Sequence, residues 1–332
     1  MSGAGCASPV GPDVVRVDAT ADTVPPTDVS ADASRDVGRI AHPCQRFRAG
    51  ADASAADATG IEAGASDASA SDAADTLACN GSPTLCDRRY DQVSFPTAHN
   101  AMSNSDEMFY LPNQHHGMAR ALADGVRGFM IDTHYCNGEP SLAHSQCWLG
   151  HKPLSVGLCE VTQFLDTHPD EIVTLQIESY VSDVDTVAAF VESGSSDYVR
   201  FQPVGTTFPT LRQMIADDLR LMVFVESGGG TPNWLMPLFQ YSFDTPYSFA
   251  TVSDFTCTIN RGVATNPLFT LNHWLQNPAS DPMWAQLANV NPVLVDRVRR
   301  CMADTGHLPN FVAVDFYDIG DVMSTVAMAN GL

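Results

Sequence analysis

The sequence is poor in positive charge, and lysine is almost absent. Its 332 residues contain 39 Asp and Glu residues against 17 Lys and Arg residues, which gives a formal net charge of −22. Lys152 is the single lysine, and the other residues in the Lys and Arg count are arginines. A chain this acidic is a poor match for the phosphates of nucleic acid and for electrostatic docking on an anionic membrane. We therefore expect no nucleic-acid partner.

Two kinds of targeting segment are also missing. No apolar run reaches the ~18–20 residues that a membrane-spanning helix needs, which predicts a soluble protein. The first residues, MSGAGCASPVGP, have neither the basic start nor the apolar stretch of a secretory signal. If translation starts upstream of Met1, Cys6 would be the lipidated cysteine of a bacterial-type lipoprotein tethered to the cell surface. Otherwise Cys6 is an ordinary residue of the N-terminal segment.

Nine cysteines occur, yet no two are spaced as CxxC. Their irregular spacing disfavours a zinc site and favours disulfides, which form in an oxidising compartment. We therefore expect a secreted or cell-surface protein. The odd number leaves at least one cysteine without an intramolecular partner. Spacing alone does not determine the pairing, and the pairs we expect are Cys79–Cys86, Cys147–Cys159 and Cys257–Cys301.

Residues 1–78 lack the recurring large apolar side chains of a folded domain. Between Ala51 and Thr76, 20 of 26 residues are Ala, Ser or Asp. Such a segment buries too little surface to offset the entropy that is lost on ordering. We predict a disordered, low-complexity tail or tether over 1–78, followed by one folded domain over 79–332.

From Cys79 onward, short apolar runs alternate with helical patterns. The predicted strands are Gln92–Ala98, Val126–Asp132, Ser141–His144, Ile172–Glu178, Leu219–Glu226 and Phe311–Phe316. The predicted helices are His115–Asp124, Leu158–Thr167, Val184–Val191, Leu211–Asp217, Pro282–Ala288, Pro292–Met302 and Asp321–Ala327. Strands bounded by helices over ~250 residues predict an α/β fold, a closed (β/α) barrel. The stretch between Gly228 and Asn277 is rich in Pro, Gly and aromatic residues, and is predicted to form long loops.

Polar side chains that can carry chemistry follow the apolar runs of the predicted strands. In a (β/α) barrel the reactive side chains lie at the carboxyl ends of the strands, so these residues are expected to converge. Two histidines from different strand ends can share acid–base work, because a neutral imidazole accepts a proton and an imidazolium returns one. Each residue could instead be a structural cap or a core group. The set consists of His99, Asn100, Asp132, His144, Glu178, Glu226 and Asp315.

Five segments together resemble one known family. In chain order they are CDRRYDQVSFPTAHNAM, QHHGMARALADGVRGFMIDTHY, LAHSQC, HPDEIVTLQIESYV and NFVAVDFY. They are similar to the phosphatidylinositol-specific phospholipase C X-domain family, and most similar to its secreted, single-domain phosphodiesterases. The resemblance spans about Cys79 to Leu332. It implies a distorted TIM barrel, which agrees with the alternation of strands and helices.

The resemblance implies a catalytic role for three residues that match family motifs. His99 matches the general base, which in inositol lipids takes the proton of the ring hydroxyl that attacks phosphorus. His144 matches the general acid that protonates the leaving glycerol oxygen. Asp315 resembles the carboxylate that orients the first histidine.

Asn100, Asp132 and Glu178 match the positions that hold Ca²⁺ in the calcium-dependent members of the family. Those members have a second acid two residues before Asp132, where this chain has Met130. Metal-independent bacterial members have an arginine at the position of Asp132. Without a cation, Asp132 and Glu178 would repel a phosphate. We therefore expect a divalent cation, Ca²⁺ or alternatively Mg²⁺, with His134 or water in place of the missing ligand.

Other basic side chains offer alternatives. His151 lies seven residues after His144 and competes with it for the acid role. We prefer His144, because it ends an apolar strand within the motif LAHSQC. Arg127 is the guanidinium nearest to the acids and is expected to be structural. His115 and His116 are expected to cap or pack a helix.

Three hypotheses for function follow. The first is a secreted phosphodiesterase that cleaves a phosphatidylinositol-like phospholipid, or a related phosphodiester, by His/His acid–base chemistry. The second is a glycerophosphodiesterase or phospholipase D-like barrel, although Met130 replaces the first acid of its metal pair. The third is a non-catalytic surface-binding module, which would not be expected to retain both histidines. An acidic lipid-cleaving domain would make peripheral membrane contact through apolar rim residues, for example Trp234, Leu235 and Phe239, although these residues could equally belong to the core.

Overall fold

The structure is a computed structural model that describes Cys44 and residues 77–332. Most of the predicted tail over 1–78 lies outside the described residues, and so does Cys6, whose lipidation stays a prediction. The domain boundary at residue 79 likewise stays a prediction. Among the helices in the described part of the chain, none combines the length and the apolar composition that a bilayer crossing requires.

The described chain builds one large sheet. Its strands are β1 (Phe95–Ala98), β2 (Gly128–Cys136), β3 (Glu139–Leu142), β4 (Lys152–Pro153), β5 (Val173–Ser179), β6 (Leu221–Val225), β7 (Met236–Pro237), β8 (Ser242–Asp244), β9 (Leu268–Asn272) and β10 (Phe311–Val314). Eight of them run parallel, in the order β7-β6-β5-β2-β1-β10-β9-β8. Within the described residues no pairing joins β7 to β8, so the barrel stays open along this seam.

Helices follow most of the parallel strands. They are α1 (Met118–Ala123), α2 (Leu154–Thr167), α3 (Asp183–Glu192), α4 (Leu211–Ala216), α5 (Pro282–Ala288), α6 (Val293–Thr305) and α7 (Val322–Ala329). Local signals start three of them, because Ser182, Thr210 and Asp281 accept hydrogen bonds from backbone N–H groups in the first turns of α3, α4 and α5. The alternation of strands and helices confirms the predicted fold class, an α/β protein with a distorted (β/α) barrel, but the described barrel is open between β7 and β8 and not closed as the strand pattern predicts.

The parallel strands are buried on both faces, which explains their unbroken apolar runs. All five residues of β6 and of β9 are buried, as are all four residues of β10. Side chains on one face fill the barrel interior, and those on the other face pack against the helices. A polar residue that directly follows such a strand therefore marks the point where the apolar interior ends.

Two parts of the fold differ from the sequence prediction. The predicted strand Ser141–His144 corresponds to β3, which pairs antiparallel with β2 in a hairpin outside the parallel order. The stretch Gly228–Asn277, predicted to form long loops, contains β7, β8 and β9. Strands β7 and β8 have only two and three residues. Strands that short show no periodic pattern, because their pairing depends on neighbours that are distant in sequence.

The disulfides confirm two predicted pairs and correct the third. Cys79–Cys86 and Cys257–Cys301 are bonded as predicted. The predicted pair Cys147–Cys159 is wrong, because Cys147 lies beside the end of β2 and bonds Cys136, whereas Cys159 lies within α2 and bonds Cys44. The Cys44–Cys159 separation of 115 residues gives no signal in sequence spacing.

Candidate active site

Two neighbouring parallel strands place His99 and Asp315 side by side. His99 follows β1 and Asp315 follows β10, and the strand register pairs Ala98 with Val314. The next residue on each strand therefore lies at the same level, and His99 Nδ1 is 2.7 Å from Asp315 Oδ1. Both side chains are largely buried. A carboxylate at Nδ1 fixes the orientation of the ring and leaves Nε2 for a reacting group.

Three further side chains hold this pair in place. Asn113 Nδ2 donates a 3.1 Å hydrogen bond to the same Asp315 oxygen. Gln114 Nε2 donates to the backbone oxygen of His99 at 2.7 Å. The indole of Trp274, two residues after β9, stacks on the His99 imidazole with centroids 3.6 Å apart and planes 8° from parallel. His99 is thus constrained at one ring nitrogen, at its backbone and across one face of the ring.

His144 reaches the site from a different element. It lies two residues after β3, in the hairpin that β2 and β3 form. Its Nε2 lies 3.3 Å from Nδ2 of Asn100, the residue that follows His99. Burial lowers the pKa of His144, and the neighbouring His99 lowers it further, whereas Asp315 and Glu178 act in the opposite direction. His99 therefore lies close enough to act electrostatically on His144 within one site.

Asp132, Glu178 and Glu226 form a row across three neighbouring strands. Asp132 in β2 is in register with Glu178 in β5, and Glu226 directly follows β6, the next strand. Residues in register on parallel strands point to the same side of a sheet, so these carboxylates share one face. Burial raises the pKa of Asp132 well above its ordinary value, and the charges of Glu178 and Glu226 raise it further.

One guanidinium faces this acidic row. Arg261 Nη1 donates to Glu226 Oε2 at 2.6 Å, and its Nε and Nη2 both donate to Asp244. Two aromatic rings flank the guanidinium, with centroids 4.7 and 4.9 Å away. Arg261 is thus committed to Glu226 and Asp244. The charges of Asp132 and Glu178 are left without a basic partner among the described residues.

The predicted site residues converge on one cavity of ≈520 Å³. Six of the seven predicted residues line it, namely His99, Asn100, Asp132, His144, Glu178 and Asp315, whereas Glu226 lines an adjoining cavity. The structure therefore brings both histidines and all three proposed oxygen donors to one space. Their roles in catalysis and in cation binding stay predictions. Further residues that line the cavity include Tyr110, Leu111, Asn113, His134, Tyr180, Tyr247 and Trp274.

His134, the predicted substitute ligand, stands at the edge of the acidic row. Its ring stacks on Tyr180 with centroids 4.4 Å apart, and its Nε2 is buried without a hydrogen-bond partner among the described residues. The Tyr180 hydroxyl donates a short hydrogen bond to Glu178, which raises the pKa of Tyr180 to about 12. In the described part of the chain, no three His, Cys, Asp or Glu side chains are grouped so that they could hold an ion. A cation site here therefore needs the amide oxygen of Asn100, or water, among its ligands.

Comparisons with known proteins identify the family. The PI-PLC X family model matches residues 85–330, which is most of the chain. The chain belongs to the PI-PLC X family. Among its relatives, PI-PLC X domain-containing protein 1 of Arthroderma benhamiae is 31% identical over 282 residues, which cover 78% of this chain and 91% of the relative. An uncharacterized secreted protein of the same organism is 29% identical, over 76% of this chain and 63% of that protein.

Solved structures agree with this membership at the level of the fold. A phosphatidylinositol-specific phospholipase C of Staphylococcus aureus, studied for its membrane binding, matches with a TM-score of 0.50 and 13% identity. The match covers 74% of this chain and 95% of that one. At such low identity it concerns the barrel alone. Membership in the PI-PLC X family favours the first functional hypothesis, a phospholipase C-like phosphodiesterase, over a glycerophosphodiesterase or phospholipase D-like barrel.

His151, the alternative to His144, lies outside the cavity of this PI-PLC X domain. Its Nδ1 is 3.0 Å from the backbone oxygen of Cys147, and its ring is exposed. His144 lines the cavity together with His99, and His151 does not. The geometry therefore favours His144 as the partner of His99, as the sequence motif predicts.

Arg127 has structural partners, as predicted, whereas His115 and His116 do not cap a helix, because α1 begins at Met118 after the N-cap residue Gly117. Arg127 is buried just before β2, where its Nε lies 2.7 Å from Glu171 and its Nη1 donates to two backbone oxygens. His115 and His116 bond to nearby aspartates at the surface, before α1 begins. None of the three lines the cavity.

Of the two alternatives that the sequence leaves for Trp234, Leu235 and Phe239, a membrane rim or the core, the structure rules out the rim and supports the core. Leu235 is fully buried, and Trp234 and Phe239 are partly buried and pack against the core. The reason is that this stretch leads into β7, a strand that the sequence pattern did not indicate. These three side chains therefore belong to the barrel wall.

Sequence reasoning also missed four residues of the site. Tyr180 directly follows β5, so the rule of reading strand ends could have found it. Trp274 follows β9, but the sequence pattern predicts a loop there, so no strand end points to it. Asn113 and Arg261 come from loops. Only the folded chain brings them to Asp315 and Glu226.

Proposed function

We propose that the chain is a phosphodiesterase that cleaves a phosphatidylinositol-like phospholipid, or a related phosphodiester, by acid–base chemistry of two histidines. One observation carries the proposal. His99 and His144 line the same cavity, and His99 Nδ1 lies 2.7 Å from the buried carboxylate of Asp315. Membership in the PI-PLC X family supports the same reaction class.

The arrangement supports a division of labour between the two rings. With Nδ1–H of His99 donated to Asp315, Nε2 can take the proton of an attacking hydroxyl, from the head group or from water. The hydroxyl oxygen bonds to phosphorus while the bond from phosphorus to the leaving oxygen breaks. His144 gives its proton to that oxygen. Attack by a ring hydroxyl leaves a cyclic phosphate, whereas attack by water leaves a phosphomonoester.

The lowered pKa of His144 suits an acid that is charged only with substrate in place. Burial and the neighbouring His99 favour the neutral ring in the free site. A phosphodiester between the two rings adds a negative charge, which favours the protonated ring. Once the leaving oxygen develops charge, an acid of lowered pKa transfers its proton readily. Substrate binding and protonation of His144 are therefore expected to be coupled.

A divalent cation, Ca²⁺ by preference and Mg²⁺ as the alternative, suits the donor set of this cavity. Asn100, Asp132 and Glu178 offer the oxygen atoms that hard cations prefer. The buried Asp132 carboxylate has no compensating donor among the described residues, and its pKa is raised. These three residues would hold the ion, with water or His134 as a further ligand. The bound cation would supply positive charge opposite the phosphate oxygens.

Lipid contact is proposed through a different apolar rim, which we define as Met108, Tyr110, Leu111 and Trp148. Met108 is 89% exposed and Trp148 is 75% exposed. Tyr110 and Leu111 line the cavity, and the Tyr110 N–H donates to the backbone oxygen of Leu149 at 2.6 Å, which joins the two segments of the rim. An acidic chain gains nothing from anionic head groups, so peripheral membrane contact would rely on these apolar side chains.

We also propose that the protein works outside the cytoplasm, secreted or at the cell surface. Four disulfides join described cysteines, and such bonds persist in oxidising compartments. One relative is described as a secreted protein. Both observations support export.

The test uses the full chain with phosphatidylinositol vesicles, in excess Ca²⁺ or excess EDTA, and follows products by phosphorus NMR. We expect release of inositol phosphate with Ca²⁺ and loss of turnover in EDTA. His99→Ala and His144→Ala should each lower turnover by at least about 100-fold, while His151→Ala, outside the cavity, should not. Unchanged turnover in either of the first two variants would contradict the acid–base assignment. Absence of turnover in the wild type would favour a non-catalytic binding role.

A further inference from the structure

A disulfide encloses the segment that carries His144. Cys136 is the last residue of β2, Cys147 lies three residues after His144, and the two are bonded with Cα atoms 5.7 Å apart. Between them lie the hairpin turn, β3 and residues 143–146. The bond therefore closes a ring, with a sequence separation of 11, around one proposed catalytic residue.

The backbone around His144 has little other support. The Ala143 N–H donates to a backbone oxygen of β2 at 3.2 Å, directly after the last pairing of β3. Beyond it, Ser145 has a φ of 65°, and the Gln146 N–H donates to the His144 oxygen within the same turn. The next pairing with the sheet begins at β4. The turn is therefore held on one side by β3 and on the other side by the disulfide, and two residues beyond Cys147 the Leu149 oxygen accepts a 2.6 Å hydrogen bond from the Tyr110 N–H.

The side chain of His144 is also less constrained than that of His99. Its polar contact among the described residues is the 3.3 Å approach of its Nε2 to Nδ2 of Asn100, and no aromatic ring of these residues stacks on it. His99, by contrast, is held by Asp315 and Trp274. The position of the His144 ring therefore depends mainly on the course of its own backbone.

We propose that the Cys136–Cys147 disulfide positions His144 for proton transfer to the leaving oxygen. The bond is a positioning element, since neither cysteine lines the cavity. This inference rests on the proposed function for the acid role of His144. Its structural part, the ordering of residues 143–149, can be measured without turnover.

The test is a Cys136→Ser, Cys147→Ser double variant of the full chain. The matched control is Cys79→Ser, Cys86→Ser, because that disulfide also closes a small ring, with a separation of 7, and lies outside the cavity. Both are assayed on phosphatidylinositol and on a nitrophenyl ester of inositol phosphate. Nitrophenolate leaves without being protonated, so the second substrate needs no general acid.

We expect the first double variant to lose about 10- to 100-fold in kcat on phosphatidylinositol, and less than about threefold on the nitrophenyl ester. KM should change little on either substrate, and the control should keep both activities. Amide hydrogen exchange, followed by mass spectrometry, should become faster over residues 143–149 in the first variant only. Equal losses on both substrates, or unchanged exchange, would overturn the proposal.

A second measurement covers the case in which the double variant does not fold. The folded wild type is treated with a trialkylphosphine, which breaks the S–S bond, takes oxygen from water to become the phosphine oxide and leaves two thiols. Cys147 is partly exposed, whereas Cys79 and Cys86 are fully buried, and alkylation with peptide mapping identifies the reduced bond. As in the double variant, kcat is expected to fall on phosphatidylinositol and much less on the nitrophenyl ester. The absence of this difference between the substrates would overturn the proposal. A wild type without turnover would contradict the proposed function, while hydrogen exchange would still decide this inference.

Discussion

The indole of Trp274 lies flat against the imidazole of His99, with the ring centroids 3.6 Å apart and the planes 8° from parallel. Trp274 is only 4% exposed, so the stack is shielded from water. When His99 takes a proton its ring becomes a cation, and an aromatic face stabilises a cation by about 0.5–2 kcal/mol. Trp274 therefore both orients the proposed base and favours its charged form.

Replacing Trp274 tests this relationship. We expect Trp274→Leu to lower kcat by about 2- to 30-fold, because that factor corresponds to the lost stabilisation of the cation. Trp274→Phe keeps an aromatic face and should lose less. Steady-state kinetics on phosphatidylinositol, with Tm as a check on folding, measure the effect. Equal activity of the Leu and Phe variants would show that the aromatic face does not matter.

The carboxylate on the other side of His99 gives a second prediction. Asp315→Asn keeps the shape of the side chain but offers an amide to His99 Nδ1, which removes the charge opposite the imidazolium. We expect kcat to fall by roughly 100- to 10,000-fold with little change in KM.

The matched control is Asp318→Asn, because Asp318 makes the same kind of contact with His115 at 2.7 Å outside the cavity. Comparable losses in both variants would contradict the special role of Asp315.

Much of this site could be predicted from the sequence because it follows strand ends. His99 and Asp315 directly follow buried parallel strands, and Glu178 follows the buried run of β5, so an apolar run followed by a polar residue reveals them. Asp132 is revealed in the same way, although β2 continues beyond it to Cys136 and does not end there as predicted. The prediction that His144 lies at the site rests on a partly wrong reason, namely that it ends a strand of the barrel. Its strand is β3, which belongs to a hairpin, yet the hairpin carries the residue to the same cavity.

The remaining parts depend on contacts that sequence spacing does not encode. Arg261 meets Glu226 across a sequence separation of 35, from a loop without a motif. Trp274 follows a strand that lies in a stretch rich in Pro, Gly and aromatic residues. Cys44 bonds Cys159 from a segment that lies before the predicted folded domain, at a sequence separation of 115. In each case the partner is chosen by the tertiary fold, which a local pattern does not specify.

A third prediction concerns the cation. Asp132→Asn removes one of the charges proposed to bind it, so Ca²⁺ affinity should fall by at least about tenfold in isothermal titration calorimetry.

In EDTA the Asp132→Asn variant should have a higher Tm than the wild type at neutral pH. The sign follows from the raised pKa of Asp132, whose ordinary value is 3.8. As pH rises above that value the unfolded chain loses the proton first, so the charge on Asp132 opposes folding.

The control for the cation prediction is Asp304→Asn. Asp304 is an exposed acid on α6 outside the cavity. Its replacement changes the net charge by the same amount, so a general electrostatic effect would appear in both variants. Unchanged Ca²⁺ affinity in Asp132→Asn would exclude Asp132 as a ligand.

A fourth prediction concerns the apolar rim. Trp148→Ala removes a large side chain that is 75% exposed, so binding to vesicles of zwitterionic lipid should weaken by about tenfold or more. Turnover of a water-soluble phosphodiester should be unchanged. Val191→Ser is the control, because Val191 is 61% exposed but lies near the end of α3, outside the cavity. Sedimentation with vesicles measures the lipid binding of both variants. Equal binding of wild type and Trp148→Ala would exclude the rim as the site of membrane contact.

The last prediction concerns His273, the neighbour of Trp274 in the chain. Arg297 can only donate, so His273 Nδ1 accepts from its Nη1 at 3.1 Å, and Nε2 carries the proton that it donates to the Ala288 oxygen at 2.9 Å. His273 is therefore neutral in the fold. Burial, and secondarily the charge of Arg297, lowers its pKa to about 3, against an ordinary value of 6.5.

This difference makes folding sensitive to acid. Below the ordinary pKa of 6.5, the unfolded chain binds a proton at His273 and the folded chain does not, until the pH nears about 3. The contribution of His273 to the free energy of unfolding should thus fall by up to about 1.4 kcal/mol for each pH unit by which the pH is lowered in that window. His273→Gln does not titrate, so the stability of the wild type relative to this variant should decline by about 3 kcal/mol between about pH 7 and pH 4. Urea unfolding at each pH measures the difference in unfolding free energy between the wild type and His273→Gln. His151→Gln serves as the exposed control. A constant difference across that pH range would mean that His273 is not buried in its neutral form.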